Sequence, residues 1–169
     1  MEDLSHKFKN KKSGVYFFKS SSPFEFYHIL NNINLEPKEE IFGTLIFPEN
    51  AKTPCPLVIP IHGSAGLRGN HHDHIVNLLE AGIAVFRIHS FESRGIISIV
   101  ENQMAVTLAT MITDAFRGLS LISQHPDIDS NKIGIMGWSL GGSTAFYSAW
   151  KPIIKALTQG GEKFSAHLP

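Results

Sequence analysis

The sequence has little cysteine and no net charge. Cys55 is the only cysteine and lies between two prolines, which excludes a disulfide framework within the chain. No base lies near it in the sequence, so we expect an inert thiol. Lys and Arg number 15, and Asp and Glu also number 15, so the chain has no overall field to steer nucleic acid or acidic lipid. A nucleic-acid partner is therefore not expected.

The sequence also lacks a secretory signal and a convincing membrane-spanning segment. Residues 1–12 include several lysines, but no apolar run follows them, so we expect a frayed, solvated tail instead of a signal. Residues 133–150 carry no charge, yet they contain four glycines and four Ser or Thr side chains. That composition is too polar for a helix in a bilayer. We expect a cytoplasmic protein with no membrane partner.

Length and composition are those of one globular domain. A chain of 169 residues is long enough to bury a core without disulfides or metal. Its 43% hydrophobic and 18% charged residues place it outside the disordered class. Residues 1–38 show little pattern beyond a short strand at 15–18, and we treat them as a poorly defined N-terminal extension. The clear pattern lies in residues 39–169.

Strands and helices alternate along residues 39–169. Short apolar runs bounded by Pro or Gly predict strands, and apolar residues three and four apart predict helices. The predicted strands are residues 40–47, 57–61, 83–88, 133–136 and 164–168, and the predicted helices are residues 69–80, 101–124 and 139–150. We place Pro60 at the end of its strand, expect Pro152 to end the third helix, and expect turns at 126–131 and 159–161. The alternation predicts a doubly wound, mostly parallel α/β sheet with helices on both faces.

The sequence Gly137-Trp138-Ser139-Leu140-Gly141 lies between a predicted buried strand and a predicted helix. This G-x-S-x-G pattern is typical of a very sharp turn that presents a serine hydroxyl at the edge of a sheet. The two glycines are needed because a Cβ at either position would collide with the turning chain. The turn also directs the N–H of Leu140 and the helix N-terminus at a developing oxyanion. Ser139 is therefore the candidate nucleophile, and a flexible Gly/Ser turn without chemistry is the alternative.

A second loop of small residues, from His62 to Gly66, follows the predicted strand 57–61. In a sheet of this kind, the loop after that strand supplies the second oxyanion donor. Gly63 and Ser64 are the candidates for this loop. A tight turn that needs glycine for geometry alone is the alternative, and the two interpretations are compatible.

Together these features resemble the dienelactone hydrolase family of the α/β-hydrolases. The resemblance covers about residues 41–169 and rests on four features: IHGSAG at 61–66, SFESRG at 90–95, Asp114 in the long helix and KIGIMGWSLGG at 132–142. It implies an α/β-hydrolase fold and cleavage of small carboxylic esters or lactones through a covalent acyl-enzyme, with no cofactor and no metal. Dienelactone hydrolase itself has a cysteine nucleophile, whereas this chain has Ser139, as the esterase-type relatives do.

The chain departs from this family after Ser139. In α/β-hydrolases a carboxylate and then a histidine follow the nucleophile along the chain, on loops after later strands. Only 30 residues follow Ser139, and their one acid and one histidine, Glu162 and His167, match neither position. We therefore expect residues 39–169 to be a partial hydrolase domain whose C-terminal part is missing. A catalytically incomplete fragment or pseudo-hydrolase is the alternative function.

An incomplete sheet has structural consequences. The predicted strand 164–168 would leave one edge of the sheet unpaired, and an exposed apolar edge promotes association. We expect the isolated chain to be marginally stable and to self-associate through this edge. We also expect weak or absent esterase activity, because a serine without a base is a poor nucleophile near neutral pH.

Four residues beside the predicted site are candidate pocket residues: His62, Glu92, Arg94 and Trp138. Glu92 and Arg94 follow the predicted strand 83–88. Arg94 either binds a substrate carboxylate through both of its nitrogens or forms a salt bridge inside the loop. Trp138 stands next to the nucleophile, and we expect it to be packing and not a binding platform.

Further histidines have a structural and a chemical interpretation. His62 and His89 each follow a predicted strand at the edge that carries Ser139. We expect them to tie adjacent loops together instead of replacing the missing base. His71 and His74 share a helical face, as two metal ligands would, but no second cluster accompanies them. A solvated first helical turn is the expected explanation.

Overall fold

The computed structural model describes Phe8, residues 12–158 and residues 160–169. The strands are β1 (Gly14–Ser20), β2 (Glu39–Ile46), β3 (Cys55–Ile61), β4 (Ala84–Ile88), β5 (Ile128–Gly137) and β6 (Ala166–Leu168). The α-helices are α1 (Gly69–Glu80), α2 (Leu108–Ile122), α3 (Leu140–Tyr147) and α4 (Lys151–Leu157), with a π-helical turn at His28–Asn32 and a 3₁₀ turn at Glu92–Arg94. Most of the expected N-terminal tail and Gln159 of the expected turn lie outside the described residues.

The strands form one sheet in the order β1-β2-β4-β3-β5-β6. β2 runs antiparallel to both β1 and β4, whereas β4, β3, β5 and β6 are parallel to one another. The prediction of a mostly parallel sheet is therefore confirmed. β3 lies between β4 and β5 and has neighbours on both edges, which explains why its sequence is an almost continuous apolar run.

Helices cover both faces of this sheet. A Cβ at Gly118 of α2 would lie 2.5 Å from the Ile88 side chain of β4, so α2 packs on the face to which Ile88 points. Alternation along the strands places Trp138 on the opposite face, where its ring lies 4.3 Å from that of His71 in α1. The sheet is doubly wound, as the sequence predicts.

The strand β3 is buried along most of its length. Pro60 pairs in register with Met136 of β5, while β3 pairs with β4 at Leu57 and Val58. The missing N–H of Pro60 therefore falls beyond the ladder to β4, while the pairing with β5 continues as far as Ile61 and Gly137. Cys55, the first residue of β3, is buried, and burial raises the pKa of its thiol.

The helix α2 begins seven residues later than the sequence predicts. Its start is at Leu108, and residues 101–107 form turns and irregular chain. The side-chain oxygen of Thr107 caps the helix by accepting a hydrogen bond from the N–H of Thr110 at 3.2 Å. Met104, whose spacing fits the helical face, is exposed before the cap. The predicted start at residue 101 is therefore wrong.

The predicted helix 139–150 ends earlier than the sequence predicts, and a second helix follows it. α3 ends at Tyr147, and α4 begins at Lys151 with Pro152 in its first turn. Pro152 thus begins a helix instead of ending one, because the first N–H groups of a helix need no intrahelical partner. Neither of these helices, nor any other within the described residues, is long and apolar enough to cross a membrane.

The strand β5 is longer than predicted. It begins at Ile128, which pairs with Cys55 of β3, so residues 128–131 belong to the strand and not to a turn. The pairing shifts register between Cys55 and Leu57. This irregularity explains why the polar residues at the start of β5 have the composition of a turn.

Candidate active site

Ser139 lies at the sharp turn between β5 and α3. Its backbone angles are φ 54° and ψ −116°, and it is the only non-glycine among the described residues with a positive φ. Such a conformation costs on the order of 1–3 kcal/mol and persists only where the surrounding structure imposes it. The residue is exposed to solvent. The structure therefore places the candidate nucleophile at a strained and accessible turn.

The two glycines of the motif sit where backbone leaves no room for a side chain. A Cβ at Gly137 would overlap the carbonyl group of Gly141 within the turn. A Cβ at Gly141 would overlap the carbonyl group of Ile61 at the end of β3. The first overlap is the collision with the turning chain that the sequence predicts. The second involves a neighbouring strand and becomes visible only in the fold.

The loop after β3 lies directly against the turn. A Cβ at Gly63 would lie 3.1 Å from the Trp138 carbonyl oxygen and 3.3 Å from Cβ of Ser139. The N–H of Gly66 closes the loop by donating to the carbonyl oxygen of Gly63 at 3.0 Å. Leu140 is the first residue of α3, so its N–H has no partner within the helix. Turn and loop are thus brought together around Ser139.

Ser64 is held by the segment that follows the 3₁₀ turn. Its hydroxyl donates to the side-chain oxygen of Gln103 at 3.0 Å, and its carbonyl oxygen accepts a hydrogen bond from the N–H of Ile99 at 2.8 Å. A Cβ at Gly66 would lie 2.9 Å from the Ile97 carbonyl oxygen. Residues 97–103 therefore shape the loop beside Ser139. No local sequence pattern indicates this support, because it depends on contacts between distant segments.

His62 is buried beneath the loop. Its Nδ1–H donates to the Gly63 carbonyl oxygen at 2.9 Å, and its ring packs edge-on against Phe91 with centroids 4.3 Å apart. Its Nε2 atom is buried and has no hydrogen-bond partner among the described residues. Burial lowers the pKa of the imidazole, which keeps the ring neutral at pH 7. These contacts support a structural role in holding the loop.

Arg94 belongs to a buried ion-pair network. Its guanidinium donates to both carboxylate oxygens of Asp114, at 2.8 and 3.2 Å, and to Glu39 at 2.9 Å. Asp114 is completely buried and also accepts a hydrogen bond from the Ser20 hydroxyl. Burial opposes the charge on Arg94, but the two carboxylates outweigh it and raise its pKa. The structure thus favours the salt-bridge alternative, with partners in β2 and α2 instead of in the loop.

Glu92 pairs with two residues at the end of β4. Its carboxylate lies 2.9 Å from the Arg87 guanidinium and 3.4 Å from Nδ1 of His89. The hydrogen bond with His89 lowers the pKa of Glu92 to about 2. Nε2 of His89 lies 2.9 Å from the Thr44 hydroxyl, and its ring stacks on Phe42 at 4.5 Å. Both ring nitrogens of His89 are engaged, which supports the expected structural role.

Trp138 packs against the first turn of α1. Its ring stacks on His71 with 21° between the planes, and His74 approaches it at 5.6 Å. Nδ1 of His71 accepts a hydrogen bond from the N–H of Arg68 at 3.0 Å. The expectation of a solvated first turn is wrong for His71, which is 7% exposed because Trp138 covers it, whereas His72 and His74 are exposed. Within the described ranges, no cluster of three or more His, Cys, Asp or Glu residues is arranged to hold a metal.

The acid and the histidine that follow the turn make hydrogen bonds to backbone groups of the C-terminal part of the chain. Glu162 accepts a hydrogen bond from the N–H of Gly160 at 3.1 Å. Nδ1–H of His167 donates to the carbonyl oxygen of Ala145 at 3.0 Å, and its ring meets Phe164 edge-on at 5.8 Å.

Acid is expected to destabilise the fold through its buried histidines. Burial lowers the pKa values of His62 and His71 below the ordinary 6.5, so the unfolded chain binds protons more readily than the folded chain. Their contribution to the free energy of unfolding is complete above pH 6.5 and decreases as the pH falls below it. The contribution of Glu92 is lost only as the pH falls from 4.5 toward about 2. Urea unfolding at a series of pH values measures both effects.

Two matched variants test whether His71 contributes to the loss of stability in mild acid. His71→Phe retains an aromatic ring against Trp138 and should reduce the loss of stability between neutral and mildly acidic pH. His72→Phe changes an exposed neighbour and should leave the wild-type dependence intact. Equal dependence in both variants would show that His71 does not contribute.

Comparison with solved structures shows which fold the chain has. The chain has an α/β-hydrolase fold of the kind found in dienelactone hydrolases and esterases. No protein-family model matches the chain, and no curated protein sequence matches it.

Three solved structures illustrate the likeness. A Klebsiella pneumoniae protein assigned as a dienelactone hydrolase is 20% identical, with a TM-score of 0.55 over 83% of this chain and 57% of its own length. The dienelactone hydrolase of Anabaena variabilis is 17% identical, with a TM-score of 0.53 over 84% and 60%. Est1E of Butyrivibrio proteoclasticus, with ferulic acid bound, is 24% identical, with a TM-score of 0.53 over 69% and 46%. The chain thus spans between 46% and 60% of the length of these proteins.

Proposed function

We propose that the chain hydrolyses small carboxylic esters or lactones through an acyl-enzyme formed on Ser139. The observation that carries this proposal is the strained, exposed position of Ser139, with the backbone of Gly63 packed beside it. Backbone strain of this kind occurs mainly at functional sites. The fold, which is shared with dienelactone hydrolases and esterases, supports the same chemistry.

The proposed reaction has two displacement steps. Oγ of Ser139 attacks the carbonyl carbon, the C–O bond to the alcohol breaks, and the alcohol leaves with the serine proton. Water then attacks the acyl-enzyme, which releases the carboxylic acid and restores the serine hydroxyl. In each tetrahedral state, N–H groups of Leu140 and of the Gly63–Ser64 loop donate to the oxyanion, and the N-terminus of α3 adds positive potential. These steps require neither a metal nor a cofactor.

A catalytically incomplete hydrolase is the second candidate. The observation that favours it is the engagement of ring nitrogens away from Ser139: both nitrogens of His89 pair with side chains, and Nδ1 of His167 donates to Ala145. A serine without a general base is a weak nucleophile near neutral pH. With oxyanion donors and substrate orientation alone, only a small part of the rate enhancement of a complete triad remains. This candidate predicts slow acylation and little turnover.

Labelling with a fluorophosphonate probe, together with hydrolysis of p-nitrophenyl acetate, tests the proposal. The wild-type chain should be labelled, and Ser139→Ala should not. Ser143→Ala removes an exposed hydroxyl one turn further along α3 and should be labelled like the wild type. Labelling that survives in Ser139→Ala would refute the assigned nucleophile. Labelling of Ser139 without turnover of the ester would support the incomplete hydrolase.

A further inference from the structure

The peptide between Gly63 and Ser64 is held through its carbonyl oxygen. That oxygen accepts two hydrogen bonds, one from Nδ1–H of His62 at 2.9 Å and one from the N–H of Gly66 at 3.0 Å. The peptide is trans, and in a trans peptide the N–H and the C=O point in opposite directions. The N–H of Ser64 is therefore turned away from the buried His62 ring, and it has no hydrogen-bond partner within the described residues.

The segment before α2 holds Ser64 at two other atoms. The Ser64 carbonyl oxygen accepts a hydrogen bond from the N–H of Ile99 at 2.8 Å, and Ile99 is 1% exposed, so this contact is anchored in the core. The Ser64 hydroxyl donates to Oε1 of Gln103 at 3.0 Å, and Gln103 is exposed. Both peptides that flank Ser64 are thus fixed, while its own N–H stays free for a ligand.

The Ser64 hydroxyl is the one side-chain tether that this loop can make. Its neighbours Gly63, Ala65 and Gly66 have no side chain able to form a hydrogen bond. Glycine also leaves the backbone more freedom than any other residue, so contacts from outside the loop must set its geometry. The same loop lies against the nucleophile turn, since a Cβ at Gly63 would lie 3.3 Å from Cβ of Ser139. A small movement of the loop therefore changes the surroundings of the serine.

We propose that Gln103 is a positioning residue for the oxyanion site. It holds the Ser64 hydroxyl and thereby keeps the free N–H of Ser64 aligned as the second oxyanion donor. A donor that is aligned before the reaction stabilises the developing charge without a cost of reorientation. Gln103 acts through Ser64 and does not itself contact the substrate. This inference rests on the proposed function, because it needs a carbonyl substrate at Ser139.

Rates of fluorophosphonate labelling and of p-nitrophenyl acetate hydrolysis test the proposal. Gln103→Ala and Ser64→Ala should each slow acylation of Ser139 by about 3- to 10-fold, the effect of one hydrogen bond, through kcat with little change in KM. The double variant should be no slower than the slower single variant, because either change breaks the same contact. Ser64→Thr keeps the hydroxyl and should restore the rate. Met104→Ala shortens the neighbouring side chain, which is 59% exposed, and should react like the wild type.

The outcomes separate this proposal from the proposed function. Equal rates in the wild type and Gln103→Ala, or losses that multiply in the double variant, would overturn the role of Gln103 and leave Ser139 as the nucleophile. A wild-type chain that is not labelled at Ser139 would refute the proposed function instead.

Amide hydrogen exchange measured by NMR decides the role of Gln103 without any activity. The N–H of Ile99 is bonded to the Ser64 carbonyl oxygen, so its exchange reports how firmly the loop is held. It should exchange faster in Gln103→Ala than in the wild type and in Met104→Ala. Equal exchange in all three chains would show that Gln103 does not hold the loop, and the proposal would be wrong.

Discussion

Replacement of Asp114 by alanine is expected to lower the free energy of unfolding by about 3–5 kcal/mol. The carboxylate is completely buried and accepts two hydrogen bonds from Arg94 and one from Ser20. Its removal leaves the Arg94 guanidinium, itself only 10% exposed, with Glu39 as its remaining carboxylate. The loss of one of two carboxylate partners is costly for a buried guanidinium because water does not replace the lost hydrogen bonds. Urea unfolding followed by circular dichroism measures the loss.

Two further variants separate burial from simple loss of a charge. Glu40→Ala removes an exposed ion pair with Lys19 and should change stability by less than about 1 kcal/mol. The double variant Arg94→Met with Asp114→Leu removes both buried charges and should recover much of the stability that Asp114→Ala loses. A loss in Asp114→Ala no larger than the loss in Glu40→Ala would contradict the importance of this network.

Gly141→Ala is expected to cost at least about 3 kcal/mol and to abolish fluorophosphonate labelling of Ser139. The added Cβ would overlap the carbonyl group of Ile61, which is backbone of the central strand β3 and cannot rotate away. Relief of the overlap requires α3 to move from the sheet, and this movement opens the turn that holds Ser139. Urea unfolding and probe labelling of the same preparation measure the two effects together.

Gly69→Ala is the matched control for this substitution. Gly69 begins α1, has no heavy atom within 4 Å of its added Cβ and has no positive φ. Its replacement should change stability by no more than about 0.5 kcal/mol and leave labelling unchanged. A Gly141→Ala chain that is as stable and as readily labelled as Gly69→Ala would show that β3 and the turn are not in close contact.

The sequence predicts the bounds of an element well where residues close together in the chain determine them. α1 has the predicted bounds, 69–80, because its apolar spacing is regular and Gly82 follows its end. The start of α2 was not predictable in this way, because Met104 continues the helical spacing although it lies outside the helix. The structure begins the helix where Thr107 caps it and donates from its hydroxyl to the Pro23 carbonyl at 2.9 Å. That second contact joins residues 84 positions apart, and no local pattern indicates it.

The same distinction holds for the candidate site. The turn around Ser139 was predictable because the collision at Gly137 lies within the turn itself, whereas the collision at Gly141 is with β3 and required the fold. The partners of Arg94 were not, since Glu39 and Asp114 lie 55 and 20 residues away in the sequence. His71 looked solvated because nothing in α1 shows that the ring of Trp138 will cover it. The geometry within single segments could therefore be predicted from the sequence. The side-chain partners of Arg94 and His71, which lie in other segments, became visible only in the fold.

The position of Cys55 makes the opening of the sheet chemically measurable. Cys55 is 1% exposed at the start of β3, and its backbone N–H donates to the Asp127 carbonyl oxygen at 2.9 Å. Burial raises the pKa of its thiol. A thiol reagent can therefore reach it only when β3 separates from its surroundings. Because the chain has no other cysteine, its modification reports on openings at this position alone. The unmodified chain can therefore report the opening of its central strand without an introduced label.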